Sequence, residues 1–486
     1  MNVRDLEPKA IWNHFEDLNA VPRPSKKEER VRQFMIDFGK SLNLEVVEDK
    51  IGNVIIKKPA TSGMEDRETV ILQSHIDMVH QKNADTEFDF NTQGIESFIE
   101  NDWVKAKGTT LGADNGMGVA AAMSLLSSTD IKHPRIEALF TIDEETGMTG
   151  AKELDGSLLS GKILLNLDTE DDDEFSVGCA GGVDTNTSYS YNTESISGDY
   201  QLFYIELKGL KGGHSGMDID SGRGNANLLM NRLIQGMTEV SDIRIVELEG
   251  GSLRNAIPRE SFGLVAVKKS DAEAVTSRFT NLFEEIKIEY SEVEPKMTCQ
   301  IKVSEENRTE MIAAEDQRKI IAVLYATPNT VWKMSDKIEG LVETSSSLAK
   351  VMIKDGEFST QSLQRSMSET GKKDVATAMK LHYEAMGATV VQGGDYPGWE
   401  PNPNSRILDV LKENYINMFN EQPKVAACHA GLECGILGKH LPDCDMISFG
   451  PTIRHPHSPD EKVNIQSVQK FWSFLTKIIE DIPSKN

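Results

Sequence analysis

Several runs of apolar residues along the chain each end at, or just before, residues that can bind a metal ion. The runs lie at 70–74, 138–142, 163–167 and 446–449, and the residues that follow them are His75, Glu144 with Glu145, Asp168, and His455 with His457. Short β-branched and apolar runs between helical stretches predict the parallel strands of an α/β sheet. In such sheets ligands bind outside the carboxyl ends of the strands. We therefore expect these side chains to meet at one edge of one sheet.

A glycine-rich loop at 108–118 leads into an apolar stretch that predicts a helix from about residue 119. Asp114 lies on this loop, just before the predicted helix, and we expect it at the same edge as the residues that end the strands. The loop has no Lys-Ser/Thr ending, so it does not predict a phosphate-binding loop.

The first part of the chain shows helical spacing at 9–20 and 27–42, followed by predicted strands at 45–48 and 53–57. Ser25 is a candidate N-cap for the second helix. Glu28, three residues later, would complete a capping box.

The pattern changes after about residue 187. Strands are predicted at 200–208, 243–249 and 257–268, with helices at 225–236 and 271–286. This alternation predicts an antiparallel sheet covered by helices on one face. Residues 393–401 break all periodicity and are predicted to be a linker that returns to the first domain.

Two domains are expected, because 486 residues exceed what one hydrophobic core usually organises. We predict a discontinuous catalytic domain over 1–187 and 390–486, with a second domain inserted at 188–389. The fold class is α/β, with a mixed, mostly parallel sheet in the first domain and an α+β architecture in the second.

Composition narrows the class of protein. The net charge of -25 argues against nucleic acid or an anionic membrane as a partner. No apolar stretch approaches the roughly 18 residues that a membrane span needs. The N-terminus does not resemble a signal peptide, and the five cysteines contain no CxxC pair. These features predict a cytoplasmic enzyme with reduced thiols.

Histidine and carboxylate together are the ligand set of a divalent metal ion, so the edge predicts a metal-dependent hydrolase. Two adjacent ions need about three ligands each, one of them shared. The candidate ligands are His75, Asp114, Glu145, Asp168 and His457.

Among these ligands, Asp114 is best placed to bridge two ions. Asp77, two residues after His75, can orient its imidazole, and Glu144 can take a proton from the attacking water. His455 remains an alternative to His457 on spacing alone.

Segments spread over most of the chain resemble the M20 metallopeptidases, and most closely their aminoacyl-histidine dipeptidases, also called cytosol non-specific dipeptidases. These segments are Ser74–Asp77, Gly112–Gly116, Asp143–Gly147, Leu210–Gly216, Arg254–Pro258, Tyr396–Trp399, His429–Gly435 and His457–Glu461. The resemblance implies a zinc-peptidase-like catalytic domain and an inserted lid that often carries a homodimer contact.

The resemblance also implies two zinc ions per chain, for which manganese or cobalt can substitute. His75 and Asp168 would bind one ion, Glu145 and His457 the other, and Asp114 both. It further implies that Glu144 is the general base and that Asp77 orients His75.

In the lid, the resemblance implies that His214 stabilises the oxyanion. Asn255 and Arg365 would bind the substrate carboxylate or the oxyanion. Glu433 is a candidate for contact with the substrate's amino group, with a buried or capping role as the alternative.

The predicted function is hydrolysis of unblocked dipeptides, including Xaa-His and β-Ala-His, by water activated at two metal ions. Small dipeptides are thus the expected partners. One alternative is an N-acyl-amino-acid deacylase on the same scaffold. A second is an inactive binding protein that keeps only the fold, which the complete set of candidate ligands argues against.

Overall fold

The computed structural model describes residues 2–402 and 404–485. The chain divides into two compact units, which we call unit 1 and unit 2. Unit 1 comprises Met1–Gly178, Trp399–Ala427 and Leu432–Asn486, and unit 2 comprises Cys179–Gly398 and Cys428–Gly431. The sequence places the corresponding boundaries at 187/188 and 389/390, and it does not separate 428–431 from the residues around it.

The helices, in chain order, are α1 (Lys9–Asn19), α2 (Glu29–Ser41), α3 (Ala113–Ser127), α4 (Glu144–Gly147), α5 (Thr149–Lys152), α6 (Ala226–Thr238), α7 (Ala272–Glu289), α8 (Ala314–Tyr325), α9 (Glu369–Glu384), α10 (Arg406–Phe419), α11 (Glu433–His440) and α12 (Ile465–Glu480). None of the helices in the described ranges is both long and apolar enough to cross a membrane.

The strands, in chain order, are β1 (Glu45–Glu48), β2 (Val54–Lys58), β3 (Val70–His75), β4 (Ser97–Glu100), β5 (Trp103–Ala106), β6 (Ile136–Thr141), β7 (Ile163–Asn166), β8 (Glu174–Cys179), β9 (Gly181–Ser190), β10 (Thr193–Ser195), β11 (Tyr200–Lys208), β12 (Gly213–His214), β13 (Arg244–Gly250), β14 (Ala256–Ile257), β15 (Ser261–Lys268), β16 (Thr298–Val303), β17 (Glu310–Ile312), β18 (Thr330–Met334), β19 (Val342–Lys354), β20 (Glu357–Ser366), β21 (Thr389–Tyr396), β22 (Lys424–Cys428), β23 (Asp445–Ser448), β24 (Ile453–Arg454) and β25 (Lys462–Asn464).

An eight-stranded sheet, in the order β1-β2-β6-β3-β7-β23-β8-β22, organises unit 1. The central strands β6, β3, β7 and β23 are parallel, whereas β1, β2 and β8 pair antiparallel. Every residue of β3 and of β6 is buried, as expected of parallel strands covered on both faces. The register pairs His75 with Thr141 and Gln73 with Asn166, so the carboxyl ends of β3, β6 and β7 lie side by side.

Unit 2 is built on an antiparallel sheet in the order β16-β11-β15-β13-β19-β20-β9-β21, with β18 also paired to β19. Helices α6, α7, α8 and α9 pack on it and contribute Leu233, Phe279, Ile320 and Met379 to one hydrophobic core. The predicted α/β class, with a parallel sheet in one part and an α+β arrangement in the other, is confirmed.

Two local predictions are wrong. Ser25 does not cap the second helix, which begins at Glu29 with Glu28 as its N-cap. Lys26 has a positive φ of 69°, and the turn brings its N–H to Glu28, so no capping box with Ser25 forms. The Ser25 hydroxyl instead donates to the carbonyl oxygen of Met78.

The segment predicted as a linker from residue 393 is in part a strand. Gly393 and Tyr396 pair with Asp184 and Gly182 of β9, with a register shift between the two pairs. The glycines hid this strand from sequence patterning because they carry no side chain to show alternation.

Candidate metal centre and substrate-binding residues

The five predicted metal ligands of unit 1 converge at the carboxyl edge of its parallel strands. His75 ends β3, Asp114 lies in the first turn of α3, Glu145 in α4, Asp168 directly after β7 and His457 between β24 and β25. His457 lies there with a left-handed φ of 60°. Five separate parts of the fold thus each contribute one side chain to the same site.

Asp114 lies between the two histidines. Its Oδ1 is 3.1 Å from Nε2 of His75, and its Oδ2 is 3.1 Å from Nε2 of His457. Asp168 Oδ1 is 3.5 Å from the same nitrogen of His75, and Glu145 Oε2 is 3.0 Å from that of His457. The atoms form two groups of three, and the carboxylate of Asp114 belongs to both.

The donor set fits two divalent cations. Imidazole nitrogen and carboxylate oxygen suit zinc, and a shared carboxylate is the usual link between two ions at such a site. Glu145 Oε1 is buried without a hydrogen-bond partner among the described residues, which leaves it available as a ligand atom. Hydrogen bonds to Asp114 and Glu145 raise the pKa of His457 to about 11, so these carboxylates create a field that strongly favours positive charge.

Asp77 connects His75 to the start of α4. Its Oδ1 lies 3.3 Å from Nδ1 of His75, close enough to orient the ring although the two atoms are not aligned as a hydrogen bond. Its two oxygens accept the backbone N–H groups of Glu144 (3.1 Å) and Glu145 (3.3 Å). This geometry leaves Nε2 of His75 facing Asp114 and Asp168.

Glu144 is partly buried at the same edge, and no hydrogen bond of its carboxylate is seen within the described residues. Burial raises its pKa well above the ordinary value; His75 opposes this shift, and the carboxylates of Glu433, Asp168 and Glu145 add to it. A carboxylate whose pKa is raised is a stronger base than an ordinary one, which suits it to accept and return a proton.

Glu461, which the sequence did not single out, holds the loop that carries Asp114. Its carboxylate accepts four backbone N–H groups, those of residues 111 to 114, at 2.7 to 3.2 Å. Arg23 is 1% exposed and donates to carbonyl oxygens on both sides, at Gly112 (2.6 Å) and at Asp77 (3.0 Å). These buried charges fix Asp114 relative to β3. Of these two residues, only Glu461 could have been found from the sequence, because it belongs to the His457–Glu461 segment; no sequence pattern pointed to Arg23.

Asn115 positions Asp168. Its Nδ2 donates to the carbonyl oxygen of Leu167 (2.7 Å) and to Oδ1 of Asp168. The contact is close because the residue at 118 is glycine. A Cβ added to Gly118 would lie 2.5 Å from Asn115 Oδ1, 2.6 Å from Leu167 O and 2.7 Å from Ser74 Oγ.

Gly118→Ala is therefore expected to destabilise the protein and to weaken cation binding. The new methyl group must displace Asn115 or the backbone before Asp168, and such overpacking costs about 1–3 kcal/mol. Denaturant unfolding and a calorimetric cation titration measure the two effects. Gly198→Ala is the matched control, since no atom lies within 4 Å of its added Cβ. Unchanged stability and cation affinity in Gly118→Ala would contradict the assigned packing.

Glu433 lies at the first residue of α11 and is 2% exposed. Its Oε2 accepts hydrogen bonds from Gln73 (2.6 Å) and Thr141 (2.8 Å), two residues of neighbouring parallel strands. Its Oε1 has no partner among the described residues, and burial raises its pKa to about 7. The contact with substrate predicted for Glu433 stays a prediction.

The three predicted residues of unit 2 are His214, Asn255 and Arg365. His214 is in β12, which pairs with β14, the strand that begins directly after Asn255. The carbonyl oxygen of Asn255 accepts the N–H of Ser215 at 2.8 Å. Arg365 is 4% exposed on β20, with Nη2 3.4 Å from Nε2 of His214. Unit 2 thus brings two of the predicted donors, His214 and Arg365, together.

His214 presents a donor at this place. Its Nδ1 accepts the backbone N–H groups of Gly216 (3.2 Å) and Met217 (3.0 Å), so the proton of the neutral ring is on Nε2. Burial, and then Arg365, lowers its pKa, which favours the neutral ring. The guanidinium of Arg365 can only donate as well, so both groups can donate to one acceptor that lies beside them.

Comparisons with known proteins agree with this architecture. The family model for "Peptidase family M20/M25/M40" matches residues 71–481. The cytosol non-specific dipeptidase of Escherichia coli (strain K12) is 41% identical over 483 residues, covering 99% of both chains. The crystal structure of aminoacylhistidine dipeptidase from Vibrio alginolyticus superposes with a TM-score of 0.95 at 42% identity, covering 100% of this chain and 99% of that one.

A tripeptidase from Staphylococcus aureus shares the fold, with a TM-score of 0.55 at 16% identity, covering 98% of this chain and 99% of that one. Because the family model spans most of the sequence and the full-length similarity is high, the chain belongs to peptidase family M20/M25/M40.

Proposed function

We propose that the protein is a metal-dependent dipeptidase that hydrolyses unblocked dipeptides. The observation that carries the proposal is the placement of Asp114 between His75 and His457, each 3.1 Å away, within a set of five ligands. The names of the two full-length relatives, both dipeptidases, support the substrate class.

His75, Asp114 and Asp168 would hold one divalent cation, and Asp114, Glu145 and His457 the other. Zinc is the proposed metal, with manganese or cobalt as substitutes, because imidazole and carboxylate accept all three. When bound, such cations polarise the scissile carbonyl and acidify the attacking water.

The protein's own groups perform the proton transfers. A carboxylate oxygen of Glu144 accepts the proton of the attacking water and then delivers it to the nitrogen of the leaving amine. Asp77 keeps His75 in the orientation that directs Nε2 towards Asp114 and Asp168.

Unit 2 supplies donors for developing negative charge. His214 carries its proton on Nε2 and would donate it in a hydrogen bond to the oxyanion of the tetrahedral state. Removal of one such donor typically costs about 10²–10³ in rate. Arg365 and Asn255 would bind the C-terminal carboxylate, and Glu433 stays the candidate for the substrate's amino group.

We also propose that unit 2 acts as a lid and that two copies of the protein form a homodimer through it. The proposed location of the protein is the cytoplasm. Exposed apolar side chains of unit 2, among them Trp332 and Met334 of β18, support a protein contact there. The word "cytosol" in the name of the Escherichia coli relative supports the location.

The purified protein is expected to hydrolyse dipeptides with a free amino group, including Xaa-His and β-Ala-His, when loaded with zinc, manganese or cobalt. Chelation should abolish turnover, and return of the metal should restore it. The panel should include a tripeptide and an N-acetyl amino acid. Equal or faster cleavage of the acetylated compound would indicate a deacylase and reject the dipeptidase proposal.

A further inference from the structure

Tyr396 belongs to the Tyr396–Trp399 segment, to which the proposed mechanism gives no role. It is the last residue of β21 in unit 2. Its hydroxyl oxygen accepts a hydrogen bond from Nη1 of Arg365 at 2.7 Å. The other terminal nitrogen of the same guanidinium is the one that faces His214, at 3.4 Å. Tyr396 therefore lies beside the pair of donors described above.

Two glycines fix the position of the Tyr396 ring. A Cβ added to Gly182 would lie 2.6 Å from both Cζ and Oη of Tyr396. A Cβ added to Gly431 would lie 3.1 Å from Cε2 of the same ring. A Cβ atom does not approach other heavy atoms as closely as 2.6 Å in real structures. The Tyr396 ring therefore occupies space that is open only because residue 182 is a glycine. The hydroxyl is thus held at Arg365 by the backbone around it.

The hydroxyl of Tyr396 is a third donor at this place. Burial raises its pKa, so the phenol keeps its proton at neutral pH although Arg365 opposes the shift. Its oxygen accepts from Arg365, and its own proton can be donated in turn. Arg365 is 4% exposed, and neither of its two side-chain hydrogen-bond partners, Tyr396 and His214, is a carboxylate. The carboxylate of Asp184 interacts with Arg365 through its charge, but its ion pair is with Arg254, at 3.2 Å. A buried guanidinium that no carboxylate contacts directly favours an anionic ligand.

We propose that Tyr396 is a specificity-determining residue, whose hydroxyl and Arg365 together bind the C-terminal carboxylate of the substrate. This inference rests on the proposed dipeptidase function. In a dipeptide only the amide nitrogen and one Cα separate the scissile carbonyl from the carboxylate carbon. The oxyanion and the C-terminal carboxylate of a dipeptide are therefore close enough to be bound by adjacent donors. His214 would bind the oxyanion, and Arg365 with Tyr396 would bind the carboxylate. A longer peptide places an amide, not a carboxylate, against these donors.

The test is Tyr396→Phe, which keeps the ring between the glycines and removes only the hydroxyl. A hydrogen bond to a charged group is worth about 10- to 100-fold in affinity. KM for a dipeptide should therefore rise at least about tenfold with little change in kcat. The C-terminal amide of the same dipeptide lacks the negative charge, so its KM should rise much less in Tyr396→Phe. Tyr189→Phe is the matched control, because it removes another unit 2 hydroxyl, one that donates to Asp316 at 2.6 Å.

Binding of the dipeptide and of its amide is measured in parallel by calorimetry, in the Glu144→Gln background where turnover is suppressed. An unchanged KM and affinity for the dipeptide in Tyr396→Phe would overturn the inference. An equal loss for acid and amide would also overturn it, because it would indicate a structural role. If the wild-type protein binds dipeptides without hydrolysing them, the proposed function is wrong and the affinities still decide the role of Tyr396. If it binds none, both proposals are wrong.

Discussion

Replacement of Glu144 by glutamine is expected to lower kcat by about 10²–10⁴-fold, the usual contribution of a general acid–base group. Glutamine has nearly the same shape but cannot accept a proton from the attacking water. No hydrogen bond of the Glu144 carboxylate is seen within the described residues, and its backbone N–H to Asp77 is retained in the variant. The fold and the metal ligands should therefore be unaffected. Steady-state kinetics with metal-loaded protein measure the loss.

The control for this variant is Glu87→Gln, which removes the charge of an exposed glutamate elsewhere in unit 1. Metal content of both variants is determined by elemental analysis after dialysis. Two ions per chain with a large loss of kcat would support the general-base assignment. Full turnover by Glu144→Gln with both ions bound would show that another group accepts the proton.

The convergence of the candidate ligands could be predicted from the sequence because it follows from a local pattern. His75 and Asp168 directly follow apolar runs, and parallel strands present their carboxyl ends at one edge. The structure aligns β3 with β7 so that Gln73 pairs with Asn166, each two residues before a candidate ligand. An error of one or two residues in either strand boundary would not have changed this conclusion.

The groups that hold this edge in place could not be predicted in the same way. Glu461 binds backbone N–H groups 347 to 350 residues earlier in the chain. Arg23 reaches Gly112 over 89 residues. Such contacts depend on the packed fold, and a buried charge has no periodicity that distinguishes it from an exposed one. The role of Tyr396 was hidden for the same reason, since the space for its ring is created by Gly182 and Gly431 from other segments.

Local signals failed where backbone geometry overrode residue preference. Ser25 and Glu28 have the residue types of a capping box, yet the left-handed Lys26 between them places the N–H of Lys26 at the carboxylate of Glu28. Gly393 resembles a linker residue, yet it pairs with Asp184 in a sheet. In both cases the competing contact is formed by backbone groups, which residue type alone does not reveal.

Asp114→Asn is expected to remove both metal ions and with them all measurable turnover. Asp114 lies 3.1 Å from both His75 and His457, a position that no other carboxylate of the described residues shares, so its charge would serve both cations. Asparagine keeps an oxygen but offers a neutral amide nitrogen in place of the second. Loss of an outer partner of a ligand already costs about 10–100-fold in metal affinity, so loss of a shared ligand should cost more than about 100-fold.

A comparison of variants separates a shared ligand from an ordinary one. His457→Ala removes a candidate ligand of only one of the two cations. The variant protein should therefore lose that cation and keep the one held by His75 and Asp168. Asp85→Asn, an exposed aspartate of unit 1, controls for the loss of charge alone and should retain both ions. Ion stoichiometry after dialysis and calorimetric cation titration give the readout without reference to turnover. If Asp114→Asn kept two ions at native affinity, Asp114 would not bridge them, and the arrangement of two sites around one carboxylate would be wrong.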